Sequence, residues 1–528
     1  PENICSSMEP QTPEARIMGQ SDRAIDQALE IIGQVIDTAF DTQSAAGTDH
    51  AFDLIQKLEQ QELSPEQSAL LHYYRSNAWE NRLHEGRRTD SWDWDIPQAQ
   101  NQIIELRRCI NHAGFSSFDT IRQCQVLTNL GNKLNFVGRC IEAIEIWDRV
   151  LKIEKYFAMA LGNKGIGLSY YGRSLYDPGH AAILLYYAWN SYKCADSRDA
   201  FFDAPGNDYL RDRFTHELNM IAEHVDIPQT EKLIKAYEAN FGESEPERHY
   251  RKWVLQTRLF LNPLNDAGTL PIATHDVLTL PSITTGMDSK EGRPPSIIGF
   301  YNQLKQEFVS ARWLLFEALQ GDESHFSDKD VLLYNTLEYP MYGLSVEKMR
   351  SAYRVAYSLL DKTAYFLNHY FALGHPDRTV NFRNVWYQPK TMGQKVLHDE
   401  LAGRENWPLR GLFWLSKDIF EPDIKGVTEP DAQALYDIRN HLEHKYLQVV
   451  ETVFESLVPV PDGEHVLGYR ISWADFRSKT TRIFKLARAS LIYLSLAVHK
   501  EEKRREQERS AHTVMPMPLA TWSDEWKQ

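Results

Sequence analysis

Apolar positions along the 528-residue chain recur mostly at spacings of three and four, and alternating strand patterns are nearly absent, so the sequence reads as all-α. In the first half, a helix from Ala51 through Leu58 stops and restarts at Ser64-Pro65, an N-cap followed by proline at the first helical position. It continues through Leu70, Tyr73, Tyr74 and Trp79, and further helical stretches cover about 97–113 and 208–240. Between about 262 and 295 the chain is punctuated by Pro263, Gly268, Pro271, Pro281, Gly286, Gly292, Pro294 and Pro295, the mark of a linker or surface loop. Beyond it, helices are expected over about 297–319, from an N-cap at Ser345 to 373, and over 408–420. A fourth begins at Thr428-Glu429-Pro430-Asp431. The last runs from Ser472, boxed by Asp475, to about 505. With one long insertion around 375–405, this set suits an antiparallel bundle.

A repeat organises the first half. Leu130, Gly131, Leu134 and Gly138 recur 34 residues later as Lys164, Gly165, Leu168 and Gly172. The first copy continues through Ala143, Trp147 and Val150, with small residues where two helices must touch and a large apolar one beside them. This resembles the tetratricopeptide repeat (TPR), whose period is 34. The second copy departs after Gly172, where Asp177-Pro178-Gly179 breaks the chain and the helix restarts near Ala181. Such units cannot bury their faces alone and must stack into a solenoid. The glycine run Gly162–Gly167 follows a helix instead of a strand and is accounted for by the repeat, so it is not a phosphate loop. The expected organisation is a flexible segment over 1–22, a TPR-like array over 23–240, a connecting helix and linker over 241–295, a helical bundle over 296–508, and a tail over 509–528.

Length allows two to four domains at roughly 100–200 residues each. Gly 27 and Pro 24 exclude collagen-like and long low-complexity classes. The longest apolar stretch, about 491–498, is far short of the ~20 residues that cross a bilayer, so no membrane is implied. No basic-then-apolar leader opens the sequence. Five scattered cysteines (Cys5, Cys109, Cys124, Cys140 and Cys194) form no Cys-x-x-Cys pair and read as buried free thiols of a cytoplasmic protein. A net charge of −15 argues against general nucleic-acid stickiness while leaving room for a local basic site.

The candidate chemistry lies in the fourth bundle helix, in Arg439-Asn440-His441-Leu442-Glu443-His444. Its core stripe is Leu435, Ile438, Leu442, Tyr446, Val449, Val453 and Leu457. At about 100° per residue, Arg439, Asn440, Glu443 and His444 share the arc away from that stripe, and His441 borders it. An imidazole exchanges protons near pH 7, a guanidinium grips a phosphate and steadies growing charge, and Asn440 can orient His444. Together they suffice for metal-independent RNA cleavage by the adjacent 2′-hydroxyl. One helix face makes a half-walled site, so the chemistry calls for a homodimer closing through the motif helix, with no cofactor and no metal.

Arg439-Asn440 followed by His444, late in a helical bundle, resembles the Arg-x4–6-His motif of the HEPN superfamily of ribonucleases, over roughly 291–505 and closest to members with N-terminal TPR arrays. The resemblance implies dimerisation through the motif helices, endoribonuclease activity, and a toxin or antiphage-defence role. Arg439 and His444 would be catalytic and Asn440 supporting, with Glu443, His441 and Asp361 as further supporting candidates. The same Arg-x4-His spacing occurs at Arg107…His112 and Arg211…His216, neither with Asn after the Arg.

Other features compete. Lys479, Arg482, Lys485 and Arg488 recur every three residues as a basic ridge, readable as an RNA-phosphate rail or as a solvated face. His441 and His444 stand at i,i+3 where zincins need i,i+4, and no third ligand is evident. Asp361-Lys362 reads as a semi-buried ion pair within an apolar helix. The alternative function is a non-catalytic scaffold whose TPR groove holds a peptide or protein while the bundle only dimerises or binds RNA.

Overall fold

The computed structural model describes residues 13–85, 92–203, 209–285, 296–321, 324–335, 338–389, 395–421, 431–451, 463–465, 468–509 and 514–527. Within these, the side chains of 13–22, 431–434, 436, 443–444 and 463–465 lie outside the description. The fold is all-α apart from three short strands, and no described helix is long and apolar enough to cross a membrane.

Helical hairpins build the N-terminal half: α1 (Pro13–Asp41), α2 (Ala45–Leu58), α3 (Pro65–His84), α4 (Pro97–Asn111), α5 (Thr120–Phe136), α6 (Cys140–Ile153), α7 (Ala158–Ser174) and α8 (Pro178–Ala195). Then come α9 (Tyr209–His224), α10 (Ile227–Ala236), α11 (Glu245–Gln256) and the single turn α12 (Leu264–Ala267). Ser64 caps α3 through a reciprocal box with Gln67, as its sequence predicts. α1 begins inside the segment expected to be flexible, and the helical pair expected over 208–240 is α9 and α10, parted at Asp226, which caps α10. The repeat glycines are contact points. A Cβ on Gly131 would stand 2.6 Å from the Trp147 indole nitrogen, one on Gly167 2.5 Å from the same ring, and one on Gly165 2.7 Å from Tyr192. Of the cysteines, Cys109, Cys124 and Cys140 are buried, whereas Cys194 is exposed at the end of α8, against expectation; Cys5 lies outside the described residues.

The second half comprises α13 (Ser296–Gln320), α14 (Leu344–Tyr370), α15 (Asp399–Ala402), α16 (Trp407–Phe420), α17 (Asp431–His444) and α18 (Trp473–Glu508). α14 starts two residues early, with Gly343 at the cap in place of Ser345. The motif helix does not continue to Leu457 as its stripe predicts. It stops at His444, and Tyr446–Val450 becomes β1, which pairs in parallel with β3 (Gly468–Ser472); β2 (Gly463–His465) pairs antiparallel to β3. Tyr446 and Val449 therefore pack from a strand, and Val453 and Leu457 lie outside the described residues. The β-branched pair Val449-Val450 suits a pleated surface better than a helix.

The two halves share one hydrophobic core, which runs from Ala69 to Val498. The stretch expected as a linker is packed inside it: Leu259, Phe260, Leu261, Leu264, Asp266, Ala273 and Leu278 are all buried. Residues 286–295 lie outside the described residues. α16 is the wedge. One face buries Leu409, Leu412 and Phe413 within the bundle; the other turns Trp407, Arg410, Trp414, Lys417 and Asp418, at spacings of three and four, toward the array. Trp407 and Trp414 donate their indole N–H groups to the Asn135 and Trp94 carbonyls at 3.1 and 2.9 Å. Arg410 donates to the Asp93 and Phe136 carbonyls and lies 4.0 Å over the Trp92 ring.

Backbone touches backbone at this seam. Gly138, between α5 and α6, has φ +95°, and an added Cβ would lie 2.4 Å from the Trp407 carbonyl and 2.7 Å from the Gly411 nitrogen. Gly138→Ala combines left-handed strain with a clash that no side chain can relieve. It is expected to cost at least about 2 kcal/mol, read as a lower denaturant midpoint at unchanged slope. An unchanged midpoint would show that the seam is looser than its contacts imply.

Candidate active site

Burial on one face positions α17. Leu435, Ile438 and Leu442 are buried, and α14 holds the helix at two heights. The Tyr353 hydroxyl donates to the Leu435 carbonyl at 2.6 Å, and about two turns on, Arg354 donates to the Leu442 carbonyl. That second bond places a cation on the unpaired carbonyls of the helix end, where the macrodipole favours it. β1 leaves directly, and its Tyr446 carbonyl packs so closely on Gly468 that a Cβ there would stand 1.9 Å away.

Arg439 and Asn440 are half-buried, and Arg439 lies toward α14 instead of facing fully away from the core as the helical arc predicts. The Arg439 guanidinium lies 5.8 Å over the Tyr357 ring and donates to Asn440 Oδ1 at 3.2 Å. Tyr357 and Asp361 follow Tyr353 at i+4 and i+8 on α14. The Asp361 carboxylate accepts the Phe382 N–H at 3.1 Å. Burial pushes its pKa above the ordinary carboxylate value, while that N–H and the positive charge of Arg439 pull it back. Asp361 thus lies within electrostatic reach of Arg439. The sequence marked Asp361 but not Tyr353, Arg354 or Tyr357, and the four-residue spacing along α14 was the available signal.

His441 is not part of an open site. It is 8% exposed, its Nδ1–H donates to the Asp437 carbonyl at 2.6 Å, and its ring lies 5.5 Å from Tyr469. This engagement also removes one of the two imidazoles that a zinc reading needs. Among the described residues no cluster of three or more His, Cys, Asp or Glu side chains could hold a metal. His444 and Glu443 stand on the last turn of α17, and their side chains lie outside the described residues.

Two other expectations are corrected. Asp361 and Lys362 make separate bonds: the Lys362 ammonium grips both carboxylate oxygens of Glu307 at 2.6 Å. The basic ridge on α18 is no open rail. Arg488 is 2% exposed, paired with Asp266 and donating to the Phe260 and Asn262 carbonyls; Lys485 pairs with Glu145 of α6 at 2.9 Å. Arg482 and Lys479 are half-buried on the same helix. The three-residue spacing followed the docking face of α18, whose counter-charges lie elsewhere in the chain. The competing Arg-x4-His matches are structural as well. Arg107 is buried in a bidentate bond to Asp418, and Arg211 donates to the Asp196 and Ser197 carbonyls.

Comparison with known proteins addresses this half of the chain. Residues 288–501 match the family model for LA2681-like HEPN. The match supports the HEPN superfamily for the C-terminal unit, and with it a nuclease reading in coarse form. It spans α13 to α17 and all but the last residues of α18, and therefore includes Arg439, Asn440, Tyr357 and Asp361. Comparisons with curated proteins and with solved structures gave no match.

Proposed function

We propose that the protein is a metal-independent endoribonuclease whose composite site forms when two HEPN-like units face each other through α17. The observation that carries the reading is the half-exposed Arg439–Asn440 pair at the C-terminal end of a helix whose last residue is His444, inside the matched unit. Seated over Tyr357, Arg439 keeps its planar fork for a phosphate. In the reaction His444 takes the proton of a 2′-hydroxyl, whose oxygen attacks the adjacent phosphorus. Arg439 neutralises the charge that grows on the phosphoryl oxygens. The P–O5′ bond then breaks, and an imidazolium returns a proton to the leaving 5′-oxygen, giving a 2′,3′-cyclic phosphate and a 5′-hydroxyl.

The N-terminal array acts in this reading as sensor or regulator of a toxin or defence effector. Between α1, α3, α5 and α7 it encloses a cavity of about 360 Å³ lined by Asp37, Tyr73, Asn77, Gln125, Asn129 and Asp203, the place for a peptide or protein ligand. Total RNA incubated with the full chain in EDTA should be cut to fragments carrying cyclic phosphate ends. Intact RNA across a range of pH and salt would overturn the proposal and leave the scaffold reading.

A further inference from the structure

The described residues between α13 and α14 present apolar side chains to solvent. Phe326, Val331, Leu332, Leu333 and Tyr334 are 75, 57, 84, 53 and 84% exposed, and Tyr342 is 52% exposed. These side chains expose on the order of the ~800 Å² that one partner gives to a stable interface, and more than isolated monomers usually leave bare. The segment has a fixed root. Asp328 accepts the Leu344 N–H at 3.0 Å, tying the arm to the start of α14. The Met341 N–H bonds the Val449 carbonyl at 2.7 Å, and Gln448 donates to Glu338 at 3.2 Å, tying it to β1. Tyr342 acts on the Tyr446 hydroxyl, two residues beyond His444, which burial and this neighbour push up to about 12.

The arm is therefore anchored to the strand that leaves the motif helix, its root reaching Tyr446 through Tyr342. We infer that the arm around Val331–Tyr334 is the apolar half of a twofold interface, covered by the same arm of a second copy, and that this contact brings the two α17 helices together. The position selects that occupant. The composite site above, on which this inference rests, requires a second copy at the C-terminal end of α17, and the arm adjoins that end. Its tip carries both signs of charge, exposed Lys329 beside exposed Asp330, so a twofold can pair each with its opposite.

Sedimentation velocity on the full chain, wild type beside Leu332→Asp and Tyr334→Asp, tests this. Wild type should be dimeric at micromolar concentration. Each variant should self-associate at least about tenfold more weakly, with RNA cleavage falling in parallel. Because both side chains face solvent in the single chain, the helical circular-dichroism signal of each variant should match wild type, and it serves as the folding control, whereas the melting temperature is expected to drop with the lost association. Monomeric wild type, or variants that dimerise like wild type, overturns the inference. If the variants stay dimeric while His444→Ala removes cleavage, the arm is wrong and the ribonuclease stands. If they become monomeric and still cut RNA, the arm stands and the composite site falls.

Discussion

Arg439→Ala and His444→Ala are each expected to lower cleavage of RNA in EDTA by about 10²–10⁴-fold, the range a positioned proton-transfer or charge-stabilising group supplies. The two groups act on one transition state, so the double variant should be little worse than the poorer single one. Arg439→Lys should recover only part of the loss, because an ammonium keeps the charge without the two-pronged fork. Stability should scarcely change. Arg439 is half-buried and makes one hydrogen bond to its neighbour Asn440 and a face contact with Tyr357. Single-turnover rates, compared with melting curves, separate the two effects. Either alanine variant cutting within about twofold of wild type would remove that residue from the chemistry.

Much of the architecture was legible because helix starts are written locally. Ser64-Pro65 and Ser472…Asp475 carry their own capping chemistry, and both helices begin where those residues place them. The motif helix was legible only in part. A three-and-four stripe through Leu435, Ile438 and Leu442 fits a helix, but Tyr446 and Val449 continue that spacing by coincidence. Gly468 decides the outcome, since only a residue without a side chain lets β3 lie against the Tyr446 carbonyl. No window around residue 446 contains that information.

The same limit explains the basic ridge and the supposed linker. Polar residues at helical spacing predict a face that avoids the local core, and solvent is merely its commonest destination. On α18 and α16 that face meets the other half of the protein instead. Arg488 finds Asp266, and Trp414 finds the Trp94 carbonyl, across hundreds of residues. At the candidate site the motif named Arg439 and His444. Its supports came from α14, where Tyr353, Tyr357 and Asp361 share a face that only the docking of α17 gives meaning.

Asp418→Ala is expected to destabilise the whole chain by about 3–5 kcal/mol, the cost of leaving buried cations without their carboxylate. Asp418 accepts both Arg107 guanidinium nitrogens at 2.9 Å and also pairs with Arg139. Arg139, 1% exposed, donates to Glu142 at 2.6 and 3.0 Å, and Glu142 accepts the Tyr493 hydroxyl at 2.6 Å. One chain of bonds thus crosses α4, α16, α6 and α18. Burial pulls the Arg139 pKa down while Glu142 holds it up. Asp418→Asn keeps the shape and should cost less, since its carbonyl oxygen still accepts one guanidinium. With a single core spanning both halves, the variant should lower one cooperative transition, reported alike by tryptophan fluorescence and helical signal. Two separated transitions, with only one displaced, would mean that the array and the HEPN-like unit fold independently. The seam could then carry no signal from the array to α17, which packs against α16.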